Sequence, residues 1–399
     1  MSSGSTPAPA RQSLGFAAVV FVFAVVMIGT TLPTPIYPEY QRQFGFSGGT
    51  TTVLFAVYAA GVIAALVGVG QLSQIVGRRP MLLAGVVLSL VSAVLFAIGT
   101  AESLLFVGRV FSGFSAGILT STGTVAVLEQ APKARKAVAG ALATAANIGG
   151  LGLGMFLAGL LAQVTPWPTR APYVVHAILL VIAGVALLVV RETVEKKQDA
   201  RFRLQRPGVP SEARRVFAAA SIGAVAGFAV CGLYSSVAPN FVGTVLGIHS
   251  PLVVGVTTAS LFAASAVAQI VLGRLGLVPA IATGSIQLFV GMILLAVALP
   301  LASLALLLVS SVVSGAGQGL LFSFGLRAIV AAAPDDRRTE ATSAYFVVAY
   351  LAISVPAILA GVAEGLIGLT ATGVGYAAVM GVLCVVAFAG RGRFAGVAD

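Results

Sequence analysis

Residues 109–117 read Arg109-Val110-Phe111-Ser112-Gly113-Phe114-Ser115-Ala116-Gly117, and a shift of 202 positions carries Val110, Ser112, Gly113 and Gly117 onto Val312, Ser314, Gly315 and Gly319. The same shift, without a gap, pairs Ala131-Pro132 with Ala333-Pro334, Arg135 and Lys136 with Arg337 and Arg338, and Ala158-Gly159 with Ala360-Gly361. About fifty residues in one register, apolar segments and loop charges alike, mark a chain built from two copies of one unit. Two departures stand out: Arg109 falls opposite Ser311, and Gly154 opposite Pro356. Shared positions are expected to build the scaffold, and unshared ones to handle a ligand.

Composition says what the unit is. Of 399 residues, 58% are apolar and 9% charged, against roughly 25% charged in soluble domains. That excludes a soluble fold, disorder and a coiled coil; two cysteines exclude a disulfide scaffold. A bilayer core needs about 20 apolar residues per helix. Charge-free stretches of single-span length occupy 12–38, 43–77, 80–101, 110–128, 137–169, 171–190, 341–363 and 365–390. Two longer ones, 216–273 and 275–326, must each fold back once, with Pro239-Asn240, His249-Ser250-Pro251, and Pro300 with Ser303 as breakers. The expected fold is an all-α membrane protein of twelve transmembrane helices in two six-helix bundles. Its expected divisions are a tail at 1–13, bundles at 14–192 and 214–390, a linker at 193–213 and a tail at 391–399.

The basic residues orient it. With both termini in the cytoplasm, 20 of the 23 lie in cytoplasmic segments; Arg42 and Arg170 fall outside, and Arg109 within a span. The net charge of +11 is therefore a topology signal, no nucleic-acid partner is expected, and the chain reads as a multi-pass protein of the cell membrane. Trp167 is the expected outer interfacial anchor. The run from Leu14 to Ile28 reads as the first helix rather than a cleaved leader, because eleven spans follow. Cys231 and Cys384 lie inside spans, so no disulfide or metal is expected. Both repeat copies run in the same sense, which relates the halves by an axis along the membrane normal, as in transporters that rock two bundles about a midplane site.

Three segments resemble the major facilitator superfamily. After span two comes Gly70-Gln71-Leu72-Ser73-Gln74-Ile75-Val76-Gly77-Arg78-Arg79, similar to the family's loop motif with Gln74 where the family has an acid. Residues 109–117 match its arginine-plus-glycine motif. Gly149-Gly150-Leu151-Gly152-Leu153-Gly154-Met155, followed by Gly159, resembles the signature of proton-coupled exporters, with Met155 in place of a proline. The resemblance spans essentially the whole chain. It implies alternating access around a pocket lined by spans one, four, seven and ten, with help from two, five, eight and eleven. Polar and aromatic candidates there are Thr31, Thr34, Tyr37, Tyr58, Asn147, Tyr234, Asn240, Gln269, Gln318, Tyr345 and Tyr350. They suit a small amphipathic or hydrophobic compound. The expected function is proton-coupled efflux by a monomer in the lipid bilayer, with protons as the coupling ion and no other cofactor. The alternative is a sugar or metabolite exporter or uniporter without proton coupling. A membrane-embedded enzyme would need an intramembrane cluster of catalytic side chains, which two isolated histidines do not make.

Arg109 is the sharpest single residue. It lies about seven residues, roughly 10 Å, inside the outer end of its span, where a charge must face a cavity or a partner. Read functionally it binds substrate or senses a proton through a carboxylate, with Glu39 the nearest acid by topology; read structurally it bridges helices. Coupling would need Glu39, Glu364, Glu129, or one of His176 and His249, and Glu129 fits better as an ion-pair partner beside Lys133 and Arg135. Gly113 with Gly117, and Gly150 with Gly154, are small-xxx-small pairs that let spans four and five pack backbone to backbone.

Overall fold

The computed structural model describes residues 9–69, 72–194, 208–334 and 337–397. Through these run twelve helices long and apolar enough to cross a membrane. They are α1 Gln12–Phe44, α2 Gly48–Gly68, α3 Arg78–Ile98, α4 Glu102–Gln130, α5 Val138–Val164, α6 Ala171–Val189, α7 Arg214–Ser236, α8 Pro251–Val271, α9 Leu277–Ala298, α10 Leu304–Ala332, α11 Glu340–Ile367 and α12 Leu369–Phe394. The described residues hold no strand. Apolar side chains such as Ile178, Val181, Val185 and Leu188 on α6 point outward, as a lipid-facing surface requires.

The sequence repeat is a repeat of contacts. A Cβ on Gly113 would lie 3.0 Å from Gly61 Cα and against the Tyr58 carbonyl on α2; a Cβ on Gly315 would strike the Leu261 backbone on α8. Gly117 and Gly319 sit one turn further along the same interfaces, against Val62 and Ser265. Ser92 Oγ donates to the Gly108 carbonyl at 2.8 Å between α3 and α4, and Ser310 Oγ donates to the Gly291 carbonyl at 2.8 Å between α9 and α10. Backbones approach this closely only where no side chain intervenes. The α4 glycines thus pack on α2, and Gly150 and Gly154 pack on α1; spans four and five do not use these pairs on one another.

The halves meet along two seams. Gly159 on α5 lies against Gly255 and Pro251 on α8, and Gly361 on α11 against Thr52 on α2. The 202-residue shift carries Gly159 onto Gly361, so one pseudo-two-fold axis relates the seams as well as the bundles.

Several helices are broken, with local causes. Pro33 and Pro35 lack N–H donors, and α1 passes through a 3₁₀ turn at Thr34–Ile36. Five-residue π-helical turns interrupt α4 at Leu119–Gly123 and α5 at Ala145–Gly149, and Phe241–Val245 forms another after α7. Pro356 is accommodated within one helix, Arg338–Ile367. The Pro239-Asn240 breaker fails as a turn: Ala238–Asn240 is helical, because proline is tolerated in a first helical turn, and the chain reverses at 246–250. Ser303 does start a helix, accepting from the Leu306 N–H at 3.3 Å. The expected tails are partly helical, since helix begins at Pro9 and α12 runs to Phe394. Most of the expected linker, 195–207, lies outside the described residues.

Candidate functional site

Both halves line a central cavity. Of the predicted residues, Thr31, Tyr58 and Asn147 reach it from α1, α2 and α5, and Gln318 and Tyr350 from α10 and α11. Its walls also carry Phe55, Phe228, Phe262, Phe322 and Phe346, with Cys231 and Ser235 from α7. Sequence reasoning missed these: nothing distinguishes a cavity phenylalanine from the others among 22. The free volume of the cavity is about 40 Å³, so it is narrow. A vestibule of about 800 Å³ opens at the end that carries the linker, lined by Thr144, Gln269, Arg274 and Arg327. Phe322 borders both spaces. Its ring stacks on Tyr345 at 5.6 Å between centroids and meets Phe228 and Phe346 edge-on.

The opposite end is shut by contacts between the halves. Gln41 Nε2, which also donates to Thr51 Oγ1 within its own half at 2.9 Å, donates across to Asn240 Oδ1 at 3.2 Å, and Ser250 Oγ donates to Gln163 Oε1 at 2.9 Å. Glu364 stands at this seam: a Cβ on Gly48 would lie 3.5 Å from its Oε1 and 2.6 Å from Asn240 Nδ2.

Arg109 is fully buried, and the α1 break explains how. The first α1 segment ends at Thr31 and leaves its last carbonyls unpaired, and Arg109 Nη1 donates to that of Thr30 at 2.7 Å. Its Nε donates to Tyr37 Oη at 3.0 Å, and Nη2 donates to the same hydroxyl. The rings of Tyr37, Tyr58 and Phe96 lie 5.4, 5.5 and 5.8 Å from its Cζ. A cation at a helix C-terminus and over aromatic faces is favourable on both counts. The expected pairing with Glu39 is absent: Glu39 pairs with Arg42. Arg109 stands behind Tyr58, one side chain away from the cavity.

Other predicted residues lie elsewhere. Tyr37 supports Arg109, and the Thr34 hydroxyl has no hydrogen-bond partner. Tyr234 donates to Ser310 Oγ at 2.9 Å in a separate crevice with Leu295 and Leu299. Tyr345 is buried behind Phe322, Gln269 is in the vestibule, and Asn240 is at the closed end.

In the loop after α2, Gly70 and the side chain of Gln74 lie outside the described residues. Arg78 donates to both oxygens of Glu129 on α4 at 3.2 and 3.0 Å, and to Ser73 Oγ at 2.6 Å. Gly77 has φ of +115°, and Glu192 caps the helix after it, accepting the N–H groups of Arg78 and Arg79 at 2.8 and 3.0 Å. Burial pushes the Glu192 carboxyl up, but the N–H groups of Arg78, Val194, Arg79 and Thr193 together hold it below its ordinary value. A lowered folded-state pKa means the cap is complete above the ordinary glutamate value of 4.5 and is lost as pH falls through the lowered one. Hydrogen exchange in lipid nanodiscs should therefore show the first-turn amides of α3 protected at pH 6 and still protected at the ordinary glutamate value of 4.5, with release only as the pH is taken further below it. Glu192→Gln should weaken protection at pH 6 and remove the step.

Two six-helix bundles, a parallel pseudo-two-fold axis and a cavity on the seam define a transporter fold. A family model described as Major Facilitator Superfamily matches residues 19–283, and the chain belongs to that family. This places it among transporters rather than enzymes. It is similar to the quinolone resistance protein NorA of Staphylococcus aureus, 26% identical over 187 residues, 47% of each chain. Multidrug resistance protein 1 of Bacillus subtilis is 24% identical over 200 residues, 49% of this chain and 48% of that one. The chain thus spans about half the length of the curated relatives it matches. Among solved structures, a bacterial homolog of the human lysosomal transporter Spinster, inward-facing and unoccupied, superposes with a TM-score of 0.73 at 15% identity over 98% of each chain. A POT family transporter in complex with a thioalcohol-conjugated peptide gives 0.76 at 14% identity, covering 96% of this chain and 97% of that one.

Proposed function

We propose that the chain exports a small amphipathic or hydrophobic compound across the cell membrane by alternating access, in exchange for protons. The observation that carries this reading is the central cavity, built from both halves, shut at one end by contacts between them and bordering an open vestibule at the other. Drug-resistance relatives support efflux. The basic residues at the vestibule end support a cytoplasmic location for that end and for both termini. The cargo would enter from the vestibule, and the Gln41–Asn240 and α5–α8 contacts would part to release it.

Glu364 is the acid best placed to couple protons. Glu39 is held by Arg42, Glu129 by Arg78 and Thr193, and His176 by the Val25 carbonyl at 3.0 Å. Glu364 faces the seam that must open, where charging it beside Asn240 and Gly48 would loosen the contact and protonation would let it close. In proteoliposomes, a pH gradient should drive wild-type flux of a dye or drug panel. Glu364→Gln should lose the gradient response while retaining exchange at equal pH. Among the described residues no carboxylate lines the cavity itself, which favours the alternative of an exporter or uniporter without proton coupling. Flux indifferent to the gradient in the wild type would establish that alternative.

A further inference from the structure

We infer that the cavity selects amphipathic molecules bearing one negative charge, such as a carboxylate, over lipophilic cations of the same size. The inference rests on the cavity being the cargo site and adds the charge class of the cargo.

Three observations carry it. The first is a formal charge beside the cavity. Among the described residues none that lines the cavity is charged, and Arg109 stands directly behind Tyr58 with no carboxylate partner among them. The Thr30 carbonyl and the helix end it belongs to offset about half a unit charge. What remains is a positive field in a low-dielectric wall, which raises the cost of a cation in the cavity and lowers that of an anion.

The second is the direction of the polar groups. Gln269 Nε2 donates to Ser265 Oγ at 3.2 Å, and Ser265 Oγ donates to Gln318 Oε1 at 2.7 Å. This relay occupies the acceptor end of Gln318 and leaves its N–H₂ donors for the cavity. Ser235 Oγ, buried in the cavity wall, has no hydrogen-bond partner. A carboxylate accepts from both groups; an ammonium has nothing to accept from the Gln318 amide donors. Gln269 is therefore a positioning residue, placed outside the cavity but fixing which end of Gln318 faces it.

The third is the route. Arg274 and Arg327 line the vestibule, and no acidic residue is among its described lining. A mouth of one sign concentrates counter-charged solutes and speeds their entry.

The test uses one fluorophore with three charges: dansylglycine, its methyl ester and dansylcadaverine. Binding to purified full-length protein is read by dansyl fluorescence, and flux is read in proteoliposomes under a pH gradient. The wild type should bind dansylglycine about tenfold more tightly than dansylcadaverine, a difference of roughly 1.4 kcal/mol. The isosteric Gln318→Glu should invert that order. Arg274→Gln with Arg327→Gln, at the solvent-filled mouth, should slow association of dansylglycine alone, with the difference vanishing at high salt. Equal affinities, or a preference for dansylcadaverine, with flux of all three probes would overturn the charge selectivity and leave the transport reading standing. An unchanged order in folded Gln318→Glu would overturn the inference too. No flux of any probe through folded wild-type protein would count against the cargo site itself.

Discussion

Arg109→Met is expected to reduce transport to background while leaving the chain folded in the membrane. The two stability terms oppose. Removing a guanidinium from within a span relieves about 2.5–3.5 kcal/mol on insertion scales; leaving the Thr30 carbonyl and the Tyr37 hydroxyl without a partner costs about 1–3 kcal/mol each. Function has no such compensation. Arg109 ties Thr30, the end of the first α1 segment, to Tyr37 in the second. It thus spans the break that Pro33 and Pro35 create, and the second segment carries Gln41, which holds Asn240 across the closed end. Without the tie, the outer part of α1 moves independently of the bundle, and the seam it closes leaks. Lysine places a point charge where a planar fork bridges two acceptors, so Arg109→Lys should keep less than about a tenth of the rate. Tyr37→Phe, which retains the ring and loses the hydroxyl, should fall between. Ser235→Cys, in a background with Cys231→Ala and Cys384→Ala, reports the leak: added Arg109→Met should raise its labelling by an impermeant maleimide from the closed side. Wild-type flux in Arg109→Met would show that the break holds without the arginine.

What the sequence made legible, and what it did not, follows the range of the forces involved. Twelve spans are legible because the bilayer imposes length and polarity on every crossing, whatever it packs against. The repeat is legible because Gly113 and Gly315 touch backbone, and a contact made by the absence of a side chain tolerates one residue type. Arg109 was recognisable as anomalous, but its partner was sought among acids. The partner is the Thr30 carbonyl, 79 positions away, left unpaired where the first α1 segment ends, and no charge count reveals a carbonyl. Glu192 is the last residue of the expected first bundle and carries no role in the sequence reading, yet it caps a helix that begins 114 positions earlier. The π-helical turn that carries Asn147 into the cavity has no local signature, and it lies against α1 and α8. Of the candidates proposed for the pocket, those on the cavity wall and those behind it have the same residue types; only the handedness and phase of each helix separate Tyr58 from Tyr234.

The glycine contacts give the second large effect, and its sign should change within two residues. A Cβ on Gly150 would lie 2.8 Å from Met27 Cβ and 3.0 Å from the Ala24 carbonyl, whereas one on Gly149 would meet nothing within 4 Å. Gly149→Ala should be neutral or stabilise by up to about 1 kcal/mol through helix propensity. Gly150→Ala should destabilise by about 1–3 kcal/mol through overpacking. Gly113→Ala and Gly315→Ala meet backbone, which has no rotamer to yield, and belong at the upper end of that range; valine at either position should prevent folding. These two sites occupy different bundles and share no partner, so their alanine effects should add. Thermal unfolding in detergent, read for the four alanine variants and the double variant, checks all of this. Backbone freedom and steric contact make opposite forecasts for Gly149: if the glycines act by flexibility, Gly149→Ala falls with the rest, and if they act by contact it stands apart. A destabilised Gly149→Ala would therefore count against contact as the reason these helices carry glycine, while comparable losses at Gly113 and Gly315 would show that each half is held internally by an equivalent interface.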